Sequence, residues 1–458
     1  MSGASLSRRR FLAGVGALGL AAGLGRGAWR RGAPRRPVLD VHDFGATGNG
    51  TTLDTRAVQR GLDAAGSRSA TLRFRAGTYR CGTLRLRSGV QLLLESGATL
   101  LASDRDADFL RAEQPAYTDA DIETSDFRHA LITGEGLRQI TIAGGGTIDG
   151  GRTQRGGPKP IALRRCQGIT VQGITIRNAP NYCVSLGGCH DVLVDTVTIR
   201  DAFADGIDPD CCQRVRITGC DVESDDDAIV LKTSLILKTP HPTEDVLVER
   251  CRMMSPSNGF KIGTETHGPV RRVSVRDCQI DGHARPNANL LGTGGAPGTT
   301  SAEGGGVAVE SVDGAVVEDI TVEGIVVTDA LVPVFVRLGR RAGSGALRRV
   351  TIRDLTATGA RDACTASGLP GLPIEQLTLD TVQLITAGQT GPVATPVPEY
   401  PSFYPKAGMF GPLPASGVWI RHARGVQLLN LHLAVTGPDS RPPLVTDEVT
   451  GLVVQPPL

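Results

Sequence analysis

A short apolar pattern recurs along this chain and constrains its fold more than any other feature. Apolar-x-apolar-x-x-apolar-x-apolar occurs as ITVQGITI from residue 169, VLVDTVTI from 192, VRITGCDV from 215, VLVERCRM from 246 and VSVRDCQI from 273. It returns as ITVEGIVV from 320, VTIRDLTA from 350, LTLDTVQL from 377 and VQLLNLHL from 426. The starts lie 23, 23, 31, 27, 47, 30, 27 and 49 residues apart, so one coil of about 23 to 30 residues repeats and two coils are degenerate or enlarged. Each unit alternates as a strand does, breaks step at a small or polar residue and resumes, which is how a chain turns a corner between two sheets. Units of this length cannot bury an apolar face alone and must stack. High glycine (59 of 458 residues) and low aromatic content (4%) suit short strands joined by tight turns. The expected fold is all-β, a right-handed parallel β-helix.

The cysteines keep register with this repeat. Cys166, Cys189 and Cys212 each lie five residues before the second apolar position of their repeats, and Cys220, Cys251 and Cys278 share one later position. Equal positions in successive coils stack, which predicts two ladders of small buried side chains. A metal cluster is disfavoured because Cys211-Cys212 lacks CxxC spacing, while one or two disulfides stay open. Upstream, Thr55 to Ala65 has helical spacing, with Asp54 as N-cap and Gly66 as stop, and predicts a helix capping the open end of the solenoid. The alternating run from Thr83 to Leu94 is expected to start the coils.

Residues 1–36 read as an export segment. SRRRFL at 7 to 12 precedes the apolar stretch Ala13 to Leu24, which is too short to span a bilayer and suits a twin-arginine-type signal. The expected destination is periplasmic or extracellular, with residues 37–458 forming a single β-helix domain. Removing the segment's eight arginines from the 49 basic residues leaves 41 against 47 acidic ones, a net of about −6. That balance argues against nucleic acid or an anionic membrane as partner, and no membrane span is expected in the mature protein. A monomer is expected.

Three consecutive acids in SDDDAIVLK, 224 to 232, run into an apolar segment that should be buried. A solvated turn, a calcium ligand set with Asp208, Asp210 and Asp225, and a catalytic acid/base group are the available readings. Asp205 and Asp226 are 21 residues apart, close to one coil, which places them on neighbouring rungs about 4.8 Å apart along the stack. Clustered carboxylates raise at least one pKa by mutual repulsion, and an acid and base about 6.5 to 9.5 Å apart admit the water that an inverting glycosidase needs.

DFGATGNGTTLDT and GGGTIDG at 144 to 150 resemble the opening of pectin-degrading β-helix proteins, and FADGIDPD at 203 to 210, SDDDAIVLK and NGFKIGTE at 258 to 265 resemble glycoside hydrolase family 28, the polygalacturonase family, the resemblance covering roughly residues 38 to 435. The family's Asn-Thr-Asp-Gly motif falls on Phe203 to Gly206, keeping Asp205, and its Gly-Asp-Asp motif falls on Asp225 to Asp227. Its Gly-His-Gly motif falls on Ser257-Asn258-Gly259, and its Arg-x-Lys motif on Ala308 and Glu310. The resemblance implies a secreted hydrolase of pectin-like polysaccharide needing no cofactor or metal, with Asp226 as general acid and with Asp205 and Asp227 holding and deprotonating water. A polysaccharide lyase or epimerase, or a non-catalytic glycan-binding solenoid, are the alternatives. A lyase would need a base such as arginine, and the sequence places none beside these acids.

Three further residues are candidate substrate contacts. Lys261, between Phe260 and Ile262, points outward and is placed either to meet a sugar carboxylate or to be solvated. Asn258 could meet a sugar hydroxyl or support a turn. Glu310 reads as an ordinary exposed glutamate, or as a residue that repels a uronate and binds hydroxyls of a neutral sugar. Two long irregular stretches, 283 to 306 and 395 to 414, are expected to shape a groove, with Tyr400, Phe403 and Tyr404 either stacking on sugars or packing on the flank. His422 has no evident partner.

Overall fold

The computed structural model describes residues 36–117, 120–283, 304–394 and 396–457. The expected export segment therefore lies outside the described residues, apart from Arg36, as does most of the stretch 283 to 306. The described chain is wound into coils of parallel strands. Ile169 lies beside Val192, Val192 beside Val215, Val215 beside Val246 and Val246 beside Val273. The series continues through Ile320, Val350 and Leu377. Both long intervals are thus single enlarged coils: Val273 pairs directly with Ile320, and Leu379 directly with Leu428.

One coil contains three strands, such as Gln167–Gln172, Thr175–Ala179 and Val184–Gly187, each pairing with its counterparts above and below. The residue at which the apolar pattern breaks step is a left-handed corner in all nine repeats: Gly173, Thr196, Gly219, Arg250, Asp277, Gly324, Asp354, Thr381 and Asn430 all have positive φ. The residue before each repeat, from Gly168 and Asp191 to Gln376 and Gly425, is left-handed as well. Isoleucine, valine and leucine on the inner positions are buried, each contributing about 1.5–3 kcal/mol. All ten cysteines are buried free thiols. Cys212 Sγ accepts from the amide of Cys189 at 3.3 Å, and Cys278 Sγ from that of Cys251 at 3.4 Å, so the ladders are core packing.

The cap helix forms as α1, Thr55–Gly66, with Val58, Leu62 and Ala65 buried. Asp54 sits at its N-cap position without capping it. Its carboxylate instead accepts from the amides of Thr47 at 2.8 Å and Gly48 at 3.0 Å, tying down the preceding loop. Gly66 is the last helical residue rather than the stop; a Cβ there would lie 2.4 Å from Cβ of Arg87. Pairing also starts earlier than Thr83, because Val38–Asp40 is already parallel to Thr71–Phe74. Among the described residues no helix is long and apolar enough to cross a membrane.

Candidate active site

The sheet built from Val184–Gly187, Ile207–Asp210, Ile229–Thr233, Asn258–Thr266 and Gly305–Asp313 carries the site. Inward Ile207, Ile229, Phe260 and Val307 stack from rung to rung, which sends Lys261 outward as expected. Just ahead of these strands the rungs are locked by Gly206 N to Asp227 O at 3.0 Å and Ala228 N to Asn258 O at 2.9 Å. Gly206 is required by this approach: a Cβ there would lie 2.4 Å from the carbonyl oxygen of Ala228. Asp205, Asp227 and Asn258 consequently follow one another along the sheet edge.

Asp205, Asp226 and Asp227 converge, one oxygen from each lying within 4.8 Å of the others. That is tighter than the expected acid–base gap, because amides and cations draw the carboxylates together. Asp227 N donates to Asp205 Oδ1 at 3.2 Å and to Asp226 Oδ1 at 3.1 Å. Lys261 Nζ lies 3.0 Å from Asp227 Oδ2, while Asn258 Nδ2 and Ser257 Oγ donate to Asp227 Oδ1 at 2.6 and 2.9 Å. Lys232 Nζ, buried, lies 3.2 Å from Asp205 Oδ2 and 3.1 Å from Asp208 Oδ2, and donates to the Tyr182 hydroxyl at 3.0 Å. Asp210 accepts from the Ser234 amide at 2.8 Å and from its hydroxyl. Lys232 thus occupies one side of Asp205 and Asp208, and Ser234 engages both oxygens of Asp210, so two residues of the calcium set read from the sequence already have protein partners.

The three aspartates differ in exposure. Asp205 and Asp227 are 2% and 3% exposed, whereas 28% of the Asp226 side chain reaches solvent. Burial pushes Asp205 well up despite Lys232, and the neighbouring Asp226 and Asp227 charges add to the rise. For Asp226 burial acts upward too, but the charges of Arg155 and Lys261 outweigh it and hold the carboxyl below its usual value.

Arg155 is the arginine that the sequence did not place beside the acids. It arrives on the loop between Gly151 and Gly157 and donates to Asp226 Oδ2 at 2.8 Å and to Glu123 of α2, Ile122–Ser125. Burial alone would lower its pKa, but hydrogen bonding to Glu123 and the charges of Asp226 and Glu123 raise it, so it is a fixed cation and not a base.

Other sequence expectations resolve in different ways. Glu310 is not an exposed glutamate: it is 1% exposed, and burial, opposed by Lys261, pushes its carboxyl up to about 8. Ala308 stacks directly on Lys261, so an ammonium occupies the rung before the position that matches the family's Arg-x-Lys motif. Tyr404 comes over this corner, its hydroxyl 3.4 Å from Lys261 Nζ and its ring 5.5 Å from the Arg341 guanidinium. Tyr400 and Phe403 meet in a tilted pair with ring centroids 4.7 Å apart, and Tyr400 packs against an apolar cluster of Phe335, Phe410 and Trp419 on the flank. His422 does have partners, bridging Glu399 at 3.0 Å and Glu448 at 2.9 Å outside the site.

Sequence reasoning missed Lys232, Lys159 and Glu265. Lys159 is buried between the Phe127 and Tyr182 rings, and burial pushes it down to about 8. Lys232 had a signal: it alternates outward from Leu231 and falls opposite Asp210 in register.

A parallel β-helix with a carboxylate cluster on one sheet face, flanked by fixed cations and overhung by loops, is the class defined by this fold and site. Residues 110–286 match the model of the family described as glycosyl hydrolases family 28. A probable polygalacturonase of Vitis vinifera is 29% identical over 260 residues, 51% of this chain and 53% of that protein. Over that segment the chain is similar to glycosyl hydrolases family 28. It spans about half the length of that curated relative. The family 28 exopolygalacturonase of Yersinia enterocolitica shares the fold with a TM-score of 0.69 at 16% identity, covering 91% of this chain and 78% of that one. A hyperthermoactive exopolygalacturonase of Thermotoga maritima does so with 0.66 at 18% identity, covering 87% and 93%.

Proposed function

We propose that this protein hydrolyses a pectin-type galacturonan, with Asp226 protonating the leaving glycosidic oxygen and Asp205 and Asp227 holding and deprotonating the attacking water. The carrying observation is the convergence of these three carboxylates with unequal exposure. Asp226 alone of the three has a side chain with substantial solvent exposure, where a glycosidic oxygen can approach. Asp205 and Asp227 sit behind it, already engaged by Lys232, Lys261 and Asn258, which suits them to orient water rather than to attack a sugar carbon. In the balanced step the water oxygen bonds to C1, the C1–O bond breaks, the Asp226 proton goes to the leaving oxygen and a water proton goes to the base. The product has inverted configuration. Lys261, with Tyr404 over it, meets the sugar carboxylate, and Asn258 supports Asp227.

A lyase or epimerase reading is weaker, because Arg155, the arginine that touches the cluster among the described residues, is ion-paired with two carboxylates. The relatives' printed activity, polygalacturonase, supports galacturonan over neutral glycans as the first substrate to test. The experiment is a reducing-sugar assay against polygalacturonan, rhamnogalacturonan and neutral glycans, with Asp226→Asn as control and the product anomer followed by NMR from the first turnovers. Release of β-anomer from an α-linked polymer, lost in the variant, is expected. An unsaturated product, or binding without release, overturns the reading. Export by the paired arginines ahead of Phe11-Leu12 is part of the same proposal. Retention of Arg8→Lys/Arg9→Lys protein in the cytoplasm tests it.

A further inference from the structure

A general acid must carry a proton when substrate is bound, yet Asp226 is ion-paired with Arg155 in the free protein. Role exchange within the cluster does not resolve this, because Asp205 is 2% exposed and cannot reach a glycosidic oxygen. The remaining variable is Arg155. Its guanidinium bridges two carboxylates from different elements, with Glu123 Oε1 at 2.9 Å from Nε and Asp226 Oδ2 at 2.8 Å from a terminal nitrogen. The Glu123 side is paired through two of its nitrogens, which fixes the guanidinium in place, while Asp226 takes a single bond. The loop that carries Arg155 has glycines at 156 and 157 with positive φ. Arg155 and Asp226 are 16% and 28% exposed at their side chains, so an incoming anion can reach the pair.

We propose that Arg155 is a specificity-determining residue that exchanges partners: a sugar carboxylate next to the scissile bond takes the guanidinium from Asp226, and Asp226, losing its counter-ion, takes up the proton it then donates. The proposal rests on the hydrolase reading above and names its substrate class more closely, as a chain with a free carboxylate on the sugar nearest Arg155. The proton comes from solvent, and no bond other than the ion pair is broken in this step. Among the described residues, the other groups facing Asp226 are Asp205, Asp227, Lys232, Lys261 and Tyr404, and those facing Arg155 are Glu123 and Tyr182. Lys261 and Lys232 keep their buried partners Asp227 and Asp205, which leaves Arg155 as the cation free to move its bond. A neutral sugar at the same place cannot perform the exchange, so the device couples recognition of acid to readiness for protonation.

The test measures binding in the full chain carrying Asp205→Asn, which stops turnover, using trigalacturonate and its methyl ester in calorimetry. Adding Asp226→Asn frees Arg155 and should tighten trigalacturonate by about tenfold without changing the ester. Adding Arg155→Gln should weaken trigalacturonate by tenfold or more and again leave the ester alone, with Arg155→Lys intermediate. In protein with Asp205 restored, the alkaline limb of kcat should lie at higher pH than that of kcat/KM, and Arg155→Gln should bring the two together. Equal response of acid and ester, unchanged binding in Arg155→Gln, or absence of trigalacturonate binding overturns the inference. Hydrolysis of galacturonan with a flat Arg155 response leaves the proposed function standing and removes only the exchange. Arg155-dependent binding without hydrolysis does the reverse.

Discussion

Two regions of this molecule are built by the same device and behave as opposites. At the left-handed corner preceding each repeat, Asp191, Arg214, Asp245, Arg272, Asp319 and Arg349 alternate in charge on successive coils, with Arg214–Asp191, Arg272–Asp245 and Arg349–Asp319 pairing in solvent. On the site face, Asp205, Asp208 and Lys232, then Asp227 and Lys261, also pair between adjacent rungs, but out of water. The stack spacing is common to both. At the corner the charges stay hydrated and the pairs add little beyond register. In the site each charge has lost its water and depends on its partner, so protonation states move and chemistry becomes available.

This contrast can be broken at four points. Asp226→Asn should lower kcat by about 10²–10⁴-fold while leaving the urea transition in place, measured by initial rates and by fluorescence-detected unfolding. Lys232→Met removes the ammonium that pairs with both buried Asp205 and Asp208 and should cost about 3–5 kcal/mol in a urea titration at pH 7. Glu310→Gln tests pH dependence. The Glu310 carboxyl is raised by folding from 4.5 to about 8, so its contribution is complete below pH 4.5 and is lost as pH rises toward 8. The variant cannot ionise, and its stability relative to the parent should improve across that window; parallel profiles from pH 4.5 to 8 would show that Glu310 is already charged. Arg349→Ala at the corner should move the urea midpoint least, and still less in 0.5 M salt.

The regular part of the fold was legible because solenoid coils repeat their physics. Apolar alternation gave the strands, the break in step gave a left-handed corner each time, and the cysteine spacing gave the thiol ladders. Asp205, Asp226 and Asp227 could be brought together from spacing alone because they lie ahead of stacked strands, and the same alternation turned Lys261 outward. What enters from loops was not legible. Arg155 is 71 residues from Asp226, and the turn that carries it has no period to read. Glu310 was misjudged for a different reason: alternation says that it leaves the core, not that Lys261, Arg341 and Tyr404 close over the place where it emerges. Asp54 matched a capping position by type, but a nearer pair of amides competed for its carboxylate.

The pair of left-handed corners closing every coil has one further consequence. Because each turn is a complete unit that bonds only to the turns on either side, the protein can lengthen or shorten cleanly only by whole turns. A single inserted residue within a strand would swap inner for outer side chains, whereas a duplicated turn leaves every phase intact. The face that carries the site therefore grows in steps of about 4.8 Å, one rung at a time.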